Sequence, residues 1–122
     1  MTRLEALAEA IQKHEGWYPF SRSWRNNNPG NLRWSKFQIG SAGGFATFGS
    51  YASGWLALWW DLWCKCSGRT RTGLGPGSSL QDLFLVWAPL SDGNKPYAYA
   101  AFVASRLHIS QTEKLEYFTA EL

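Results

Sequence analysis

The chain has 122 residues, of which 45% are hydrophobic and 17% charged, with a formal net charge of +3. This length suits a single domain, residues 1–122, and the hydrophobic share excludes a disordered chain. The basic residues are scattered and form no run, so we do not expect nucleic acid as a partner. The chain also holds eight tryptophans, and because an indole has both a flat apolar face and a polar N–H, we expect some of them to line a groove.

The N-terminal segment predicts a helix over residues 3–15, since Leu4, Ala8 and Ile11 recur at helical spacing and Gly16 stops the pattern. Glutamates interrupt this segment, so it does not resemble a signal peptide. No stretch approaches the roughly 18 apolar residues of a membrane span. We therefore expect a protein made in the cytoplasm that does not insert into a membrane.

Residues 16–50 are rich in glycine and asparagine and read as irregular structure, with turn chemistry at Asn28-Pro29-Gly30. Residues 32–34 and 45–48 are predicted to pair as the short strands of a hairpin. A loop of this length in a small domain usually carries function.

The rest of the chain predicts four more helices. The first, residues 51–66, carries so many apolar residues that we expect it to be buried over most of its circumference. Ser79 and Asp82 predict a capping box for the next helix, and Pro89 ends it. The last two are predicted over residues 95–107 and 111–121. Together these elements indicate an α+β fold that is predominantly α-helical.

The two cysteines, Cys64 and Cys66, point in different directions on the predicted helix, so a mutual disulfide is not expected. Two cysteines and two distant histidines do not have the spacing of a zinc site. We expect neither a metal nor a cofactor.

Glu15 stands out among the nine acidic residues. On a helical wheel it lies within roughly 40° of Leu4, Ala8 and Ile11, which places it on the apolar stripe of the first helix. A carboxyl group there loses hydration, which disfavours its charged form and suits a general acid. The alternative is a glutamate that only braces the following turn.

Several segments then resemble the lysozyme superfamily, most closely the small phage-type muramidases and lytic transglycosylases. In these enzymes a glutamate ends a helix, and an irregular segment with short strands and a buried helix follow. The likeness covers about residues 7–108. It rests on His14-Glu15-Gly16-Trp17, Asn28-Pro29-Gly30-Asn31-Leu32-Arg33, Phe45-Ala46-Thr47-Phe48, Trp87-Ala88-Pro89, Asp92, Asn94, Pro96, Tyr99 and Val103.

The resemblance implies a lysozyme-like fold and an endolysin-like enzyme that cuts the MurNAc–GlcNAc bond of peptidoglycan, with Glu15 as the acid. It implies that Asn28 and Asn31 fix the loop or bond the sugar N-acetyl groups, although both also suit a plain turn. Thr47 and Phe48 would face the cleft, with Phe48 as a core residue the alternative. Tyr99 would donate a hydrogen bond near Glu15 or the sugar; the alternatives are a core role for Tyr99, or Tyr97 in its place.

The chain also departs from the family. Trp24 stands where T-even phage lysozymes carry an aspartate, no carboxylate occurs between Glu15 and Asp61, and the transglycosylase motif Gly-Leu-Met-Gln is absent. Asp92 is the loop carboxylate that could enter the cleft, or it could simply belong to a turn. Two mechanisms stay open: Glu15 acting alone to give a 1,6-anhydro product, which the missing carboxylate favours, or a held water attacking to give hydrolysis.

Two other classes compete with this interpretation. A non-catalytic glycan-binding or virion structural module could use the same aromatic groove, and a nucleic-acid binder is the weaker alternative. As an enzyme the chain is expected to act as a monomer. It would reach the cell wall through a holin, as part of a virion, or through a secretion system.

Overall fold

The computed structural model describes all 122 residues and shows an α+β fold dominated by helix, as predicted. The only sheet has two antiparallel strands. No helix is both long and apolar enough to cross a membrane. In chain order the elements are α1 (Arg3–His14), α2 (Arg22–Arg25), β1 (Gly40–Ala42), β2 (Phe45–Thr47), α3 (Tyr51–Cys66), α4 (Leu80–Trp87), α5 (Pro96–Leu107) and α6 (Glu116–Thr119), with a 3-10 turn at Leu90–Asp92.

All the helices except α2 form what we call the helical body, residues 1–15 and 51–122. Helix α1 begins at a capping box between Thr2 and Glu5 and packs against α3, α5 and α6. Its predicted apolar stripe is fully buried in the main core. That core also takes Leu58 and Leu62 from α3, Phe84 from α4, Val103 from α5 and Phe118 from α6.

Helix α3 has the predicted bounds but is less buried than predicted. Its fully covered positions, such as Leu58 and Leu62, lie on one side, whereas Leu56 is exposed and the tryptophans are only partly covered. Indole rings pack their faces over the edge of the core while part of each ring stays in water. The helix therefore borders the core.

The predicted capping box of α4 is confirmed, with the Ser79 hydroxyl and the Asp82 carboxylate each accepting from the other's backbone N–H. The last predicted helix, 111–121, is wrong in its first half. There Glu113 and Lys114 run alongside the start of α4: Leu80 donates its N–H to the Glu113 carbonyl at 2.9 Å, and Ser79 and Lys114 form an antiparallel bridge. Only the single turn of α6 remains helical.

The second predicted strand of the hairpin is confirmed as β2, but its partner is a different segment from the one predicted. Strand β1 is Gly40–Ala42, and not residues 32–34, because Gly43 and Gly44 both adopt left-handed φ angles of 59° and 85° and close a two-residue turn. Leu32 instead lies on the other side of β2, where its carbonyl accepts one hydrogen bond from the Ala46 N–H at 2.9 Å.

We call residues 16–50 the loop lobe. It docks on α3 at Gly54, where a Cβ atom would meet the Asn27 carbonyl oxygen at 1.8 Å, so only glycine permits the approach. Asn27 also donates its side-chain N–H to the Phe48 carbonyl at 3.1 Å. The helix and the loop lobe are thus in direct backbone contact.

Candidate functional site

An open cleft of about 1070 Å³ separates the loop lobe from the helical body. The loop lobe supplies one wall through residues 30–34 and the hairpin, and α3, the end of α4 and the start of α5 supply the other. Glu15 lies in this cleft, at the junction between the two parts. A groove that is open at the surface suits an extended ligand better than it suits a small molecule that must be enclosed.

The end of α1 determines the position of Glu15. Glu15 is the C-cap residue, and Gly16, with φ 80°, turns the chain out of the helix. The carboxyl group is partly buried and accepts two hydrogen bonds: from the Tyr99 hydroxyl to Oε2 at 2.7 Å and from the Asn31 amide to Oε1 at 3.4 Å. One donor comes from each wall, so both walls orient the carboxyl group.

Tyr99 is held rigidly on α5. It is only 4% exposed, and its ring stacks on His14 with centroids 3.6 Å apart and on Phe84 with centroids 4.3 Å apart. Burial raises the pKa of Tyr99 well above its usual range, and the charge of Glu15 raises it further. Tyr99 therefore remains a protonated O–H donor to Glu15 at any pH near neutral.

His14 precedes Glu15 and also lines the cleft. Besides stacking on Tyr99, its ring meets the edge of Phe102 at 5.1 Å. Burial lowers the pKa of His14, and the neighbouring Glu15 only partly opposes this shift. The imidazole is consequently uncharged near neutral pH and serves as an aromatic support for Tyr99.

Asn31 adopts a left-handed backbone with φ 50°, a conformation that asparagine tolerates better than most residues. Its backbone N–H donates to the Asn28 carbonyl at 2.9 Å, which closes the turn and directs its side chain to Glu15. The turn chemistry read from the sequence and the contact with Glu15 are therefore two consequences of the same conformation.

Two further carboxylates line the cleft. Asp61 on α3 is bound to Lys65, with Oδ2 and Nζ 2.6 Å apart, the one salt bridge in the structure. Asp92 is exposed at the end of the 3-10 turn beyond α4. Sequence reasoning named Asp92 but not Asp61, because the face of α3 that meets the cleft is set by packing with segments distant in the chain.

Three sequence-predicted site residues do not line the cleft. Asn28 is fully buried, and its amide donates to the carbonyls of Leu32 at 2.8 Å and Ala46 at 2.9 Å, so it fixes the loop and cannot bond a sugar. Phe48 is buried in a small cluster with Leu32, Ala46 and Ala57, the core alternative. Thr47 pairs with Gly40 in the hairpin, away from the cleft.

Five residues to which the sequence assigned no role also line the cleft: Arg22, Arg33, Trp34, Phe45 and Trp87. Trp34 is 72% exposed, an unusual position for an indole. The high tryptophan content was the available signal, but it could not say which of the eight would line a groove.

No three His, Cys, Asp or Glu side chains are grouped closely enough to hold a metal ion. Both cysteines are free, and burial raises the pKa of Cys66 to about 12, which leaves it an unreactive thiol.

Comparisons with protein-family models, with curated proteins and with solved structures found no match to this chain.

Proposed function

We propose that the chain cleaves the MurNAc–GlcNAc glycosidic bond of peptidoglycan, with Glu15 as general acid and then general base. The observation that carries this proposal is the position of Glu15 in an open cleft, with Tyr99 and Asn31 orienting its carboxyl group from opposite walls. A general acid must be held within reach of the oxygen that it protonates, and two fixed donors supply that constraint.

In the proposed reaction the Glu15 carboxyl group gives its proton to the glycosidic oxygen while the bond from that oxygen to the anomeric carbon breaks. The 6-hydroxyl group of the same sugar then attacks the anomeric carbon, and its proton goes to the Glu15 carboxylate. The product carries a 1,6-anhydro end and Glu15 is regenerated. The substrate's N-acetyl group could close on the anomeric carbon first and stabilise the charge that develops there.

Neither of the other carboxylates in the cleft is well placed to act as a nucleophile, which favours the 1,6-anhydro route over a double displacement. A retaining hydrolase needs a second carboxylate as nucleophile. Lys65 neutralises Asp61, and Asp92 lies exposed on the 3-10 turn with no hydrogen bond to orient its side chain. Hydrolysis by a water held at Asp92 is the competing outcome.

The arrangement of the elements supports a lysozyme-like fold for the proposed enzyme. A glutamate ends the first helix, a loop lobe with a short hairpin follows, and a long helix comes next, as in the superfamily that the sequence resembles. An endolysin-like enzyme of this kind would reach the wall through a holin, a virion or a secretion system, and would act as a monomer.

Glu15→Gln tests the proposal in assays on purified peptidoglycan. Gln keeps the shape of the side chain but cannot transfer a proton, so fragment release should fall by about 10²–10⁴-fold. Glu9→Gln is the matched control, because Glu9 is exposed on the same helix outside the cleft. Mass spectrometry of the fragments separates the two mechanisms, since an anhydro end is lighter than a hydrolysed end by one water.

A non-catalytic glycan-binding module is the second candidate, and the exposure of Trp34 on the cleft favours it, because aromatic faces stack on sugars with or without catalysis. Binding to peptidoglycan without release of soluble fragments by the wild type would support this candidate. Equal activity of the wild type and Glu15→Gln would remove Glu15 from the mechanism.

A further inference from the structure

Arg22 and Arg33 lie in the cleft and contact the same aromatic ring. The guanidinium carbon of Arg22 is 3.8 Å from the centroid of the Phe45 ring, and that of Arg33 is 4.7 Å from it. All three residues line the cleft that contains Glu15. The two guanidinium carbons are therefore separated by no more than these two distances added together.

Each part of this group is positioned by a different element. Arg22 begins α2, Phe45 begins β2, and Arg33 follows the turn that contains Asn31. The Phe45 ring is buried, with 9% of its surface exposed, and it fixes the two flexible side chains through cation–π contacts. The Arg33 guanidinium lies beside the hairpin turn, since a Cβ at Gly44 would be in ordinary van der Waals contact with its Nη1 at 3.6 Å.

Neither arginine has a carboxylate partner within the protein, because the one salt bridge joins Lys65 and Asp61. Both side chains are exposed. Neither guanidinium donates a hydrogen bond within the protein, so the N–H groups of both remain available, and their planar arrangement matches the two oxygens of a carboxylate. The mutual repulsion of the two charges falls when an anion binds beside them.

We propose that Arg22, Phe45 and Arg33 form a carboxylate-binding subsite that selects acidic glycan over neutral glycan, a proposal that rests on the proposed function. Peptidoglycan carries carboxylates in two places. The lactyl group of MurNAc is a free carboxylate where the peptide is absent, and where the peptide is attached its own carboxylates replace it. Neutral chitin-type oligomers contain the GlcNAc units of peptidoglycan, but they have neither the lactyl carboxylate nor the peptide carboxylates.

Binding to three tetrasaccharides tests this subsite, with the Glu15→Gln protein used so that no ligand is cleaved. The ligands are a chitin tetramer, a peptide-free MurNAc-containing glycan and the same glycan with its peptides. We expect at least one acidic ligand to bind about tenfold more tightly than chitin by calorimetry, since one charge-assisted pair is worth about that factor. The acidic ligand that is preferred identifies the source of the carboxylate.

Arg22→Gln together with Arg33→Gln should abolish the preference for acidic glycan, and Arg22→Lys should weaken it, because lysine lacks the planar pair of donors. Arg25→Gln is the matched control, since Arg25 is also exposed on α2 but does not line the cleft. It should keep the preference in full, and circular dichroism should show each variant folded.

Equal affinity for all three ligands, no measurable binding of any, or a preference that survives the double substitution would overturn the subsite. Failure of the proposed function is a separate result. If the wild type releases no fragments from peptidoglycan but binds acidic glycan with an arginine-dependent preference, the proposed catalysis is wrong and the subsite is supported. If the wild type cleaves peptidoglycan but shows no preference for acidic glycan, the proposed catalysis is supported and the subsite is wrong.

Discussion

The helical body and the loop lobe are stabilised in different ways. The core of the helical body consists of leucine, phenylalanine and other apolar side chains from five helices. The loop lobe has only a small apolar cluster, but it contains all four buried polar residues of the molecule, Ser23, Asn26, Asn28 and Ser35. Apolar burial is non-directional, whereas hydrogen bonds fix distances and angles.

The contrast explains how a loop can position a site residue. The Asn28 side chain ties its own turn to Leu32 and to strand β2, by accepting from the Leu32 N–H at 2.9 Å and donating to the carbonyls of Leu32 and Ala46. The rigid turn that results carries Asn31, which contacts Glu15. On the other wall, apolar packing fixes Tyr99. The orientation of Glu15 thus depends both on the hydrogen bonds of the loop lobe and on the apolar packing of the helical body.

Gly54→Ala should have the largest effect on this arrangement. On helix propensity alone, alanine would stabilise α3 by about 1 kcal/mol. Its Cβ would instead lie 1.8 Å from the Asn27 carbonyl oxygen and force the loop lobe away from α3, so we expect a loss of about 3 kcal/mol or more in the free energy of unfolding. Urea unfolding followed by tryptophan fluorescence measures it.

Gly77→Ala is the control for this substitution, because nothing lies within 4 Å of the position that its Cβ would occupy. It should leave stability nearly unchanged. A Gly54→Ala protein as stable as the wild type would show that the loop lobe can move from α3 at little cost, and that the two parts are coupled only weakly.

Asn28→Asp should have the next largest effect. The substitution keeps the acceptor for the Leu32 N–H but faces a carboxylate oxygen towards two carbonyl oxygens in a fully buried position. We expect a loss of about 3 kcal/mol in unfolding free energy at neutral pH, comparable to Leu83→Ala in the main core. Denaturant unfolding of the two variants side by side compares the two kinds of stabilisation.

Fragment release from peptidoglycan gives the second measurement on Asn28→Asp. Because the Asn28 side chain fixes the turn that carries Asn31, the folded variant should release fragments more slowly than the wild type, even at a temperature well below its unfolding midpoint. Unchanged activity in a folded variant would show that the turn holds Asn31 against Glu15 without the Asn28 hydrogen bonds.

His14 should produce the smallest effect, a dependence of stability on pH. Because burial lowers its pKa below the ordinary value of 6.5, the unfolded chain binds the proton more tightly than the folded one. The contribution of neutral His14 to stability is therefore fully present above about pH 6.5, and stability should fall as the pH decreases from there through the folded pKa. Unfolding midpoints measured between pH 7.5 and 5 test this.

His14→Gln should flatten the slope in that interval, whereas His108→Asn, which removes the other histidine and leaves the stack in place, should retain it. Asparagine suits position 108 because the backbone there is left-handed, with φ 57°. An unchanged slope in His14→Gln would assign the pH dependence to other groups.

Helical periodicity and caps were enough to predict most of the helical body. The spacing of Leu4, Ala8 and Ile11 gave α1, and Ser79 with Asp82 gave the start of α4. Residues 111–115 were mispredicted because their pairing with the start of α4 is a contact between distant segments that no local pattern encodes.

The site was predictable only in part. The position of Glu15 on the apolar stripe of α1, followed by Gly16, predicted that it belongs to the site. The likeness to a known superfamily added Tyr99, which lies 84 residues away in sequence. The structure places both in the cleft. The role of Asn28 was left between two alternatives because an asparagine in a turn has the same local signature whether its amide faces solvent or a buried carbonyl. Only the packing of the loop lobe decides that.

The hairpin that carries Phe45 is a small part of the molecule. It has three residue pairs, its first strand is exposed throughout, and its tip at Gly43 borders the cleft with open space around it. Extra residues at the tip would extend outward without displacing anything in either core. This wall of the cleft can therefore change length during evolution or engineering while Glu15 and its two donors stay in place, so in the proposed enzyme the length of glycan in contact with the protein would vary independently of the reaction.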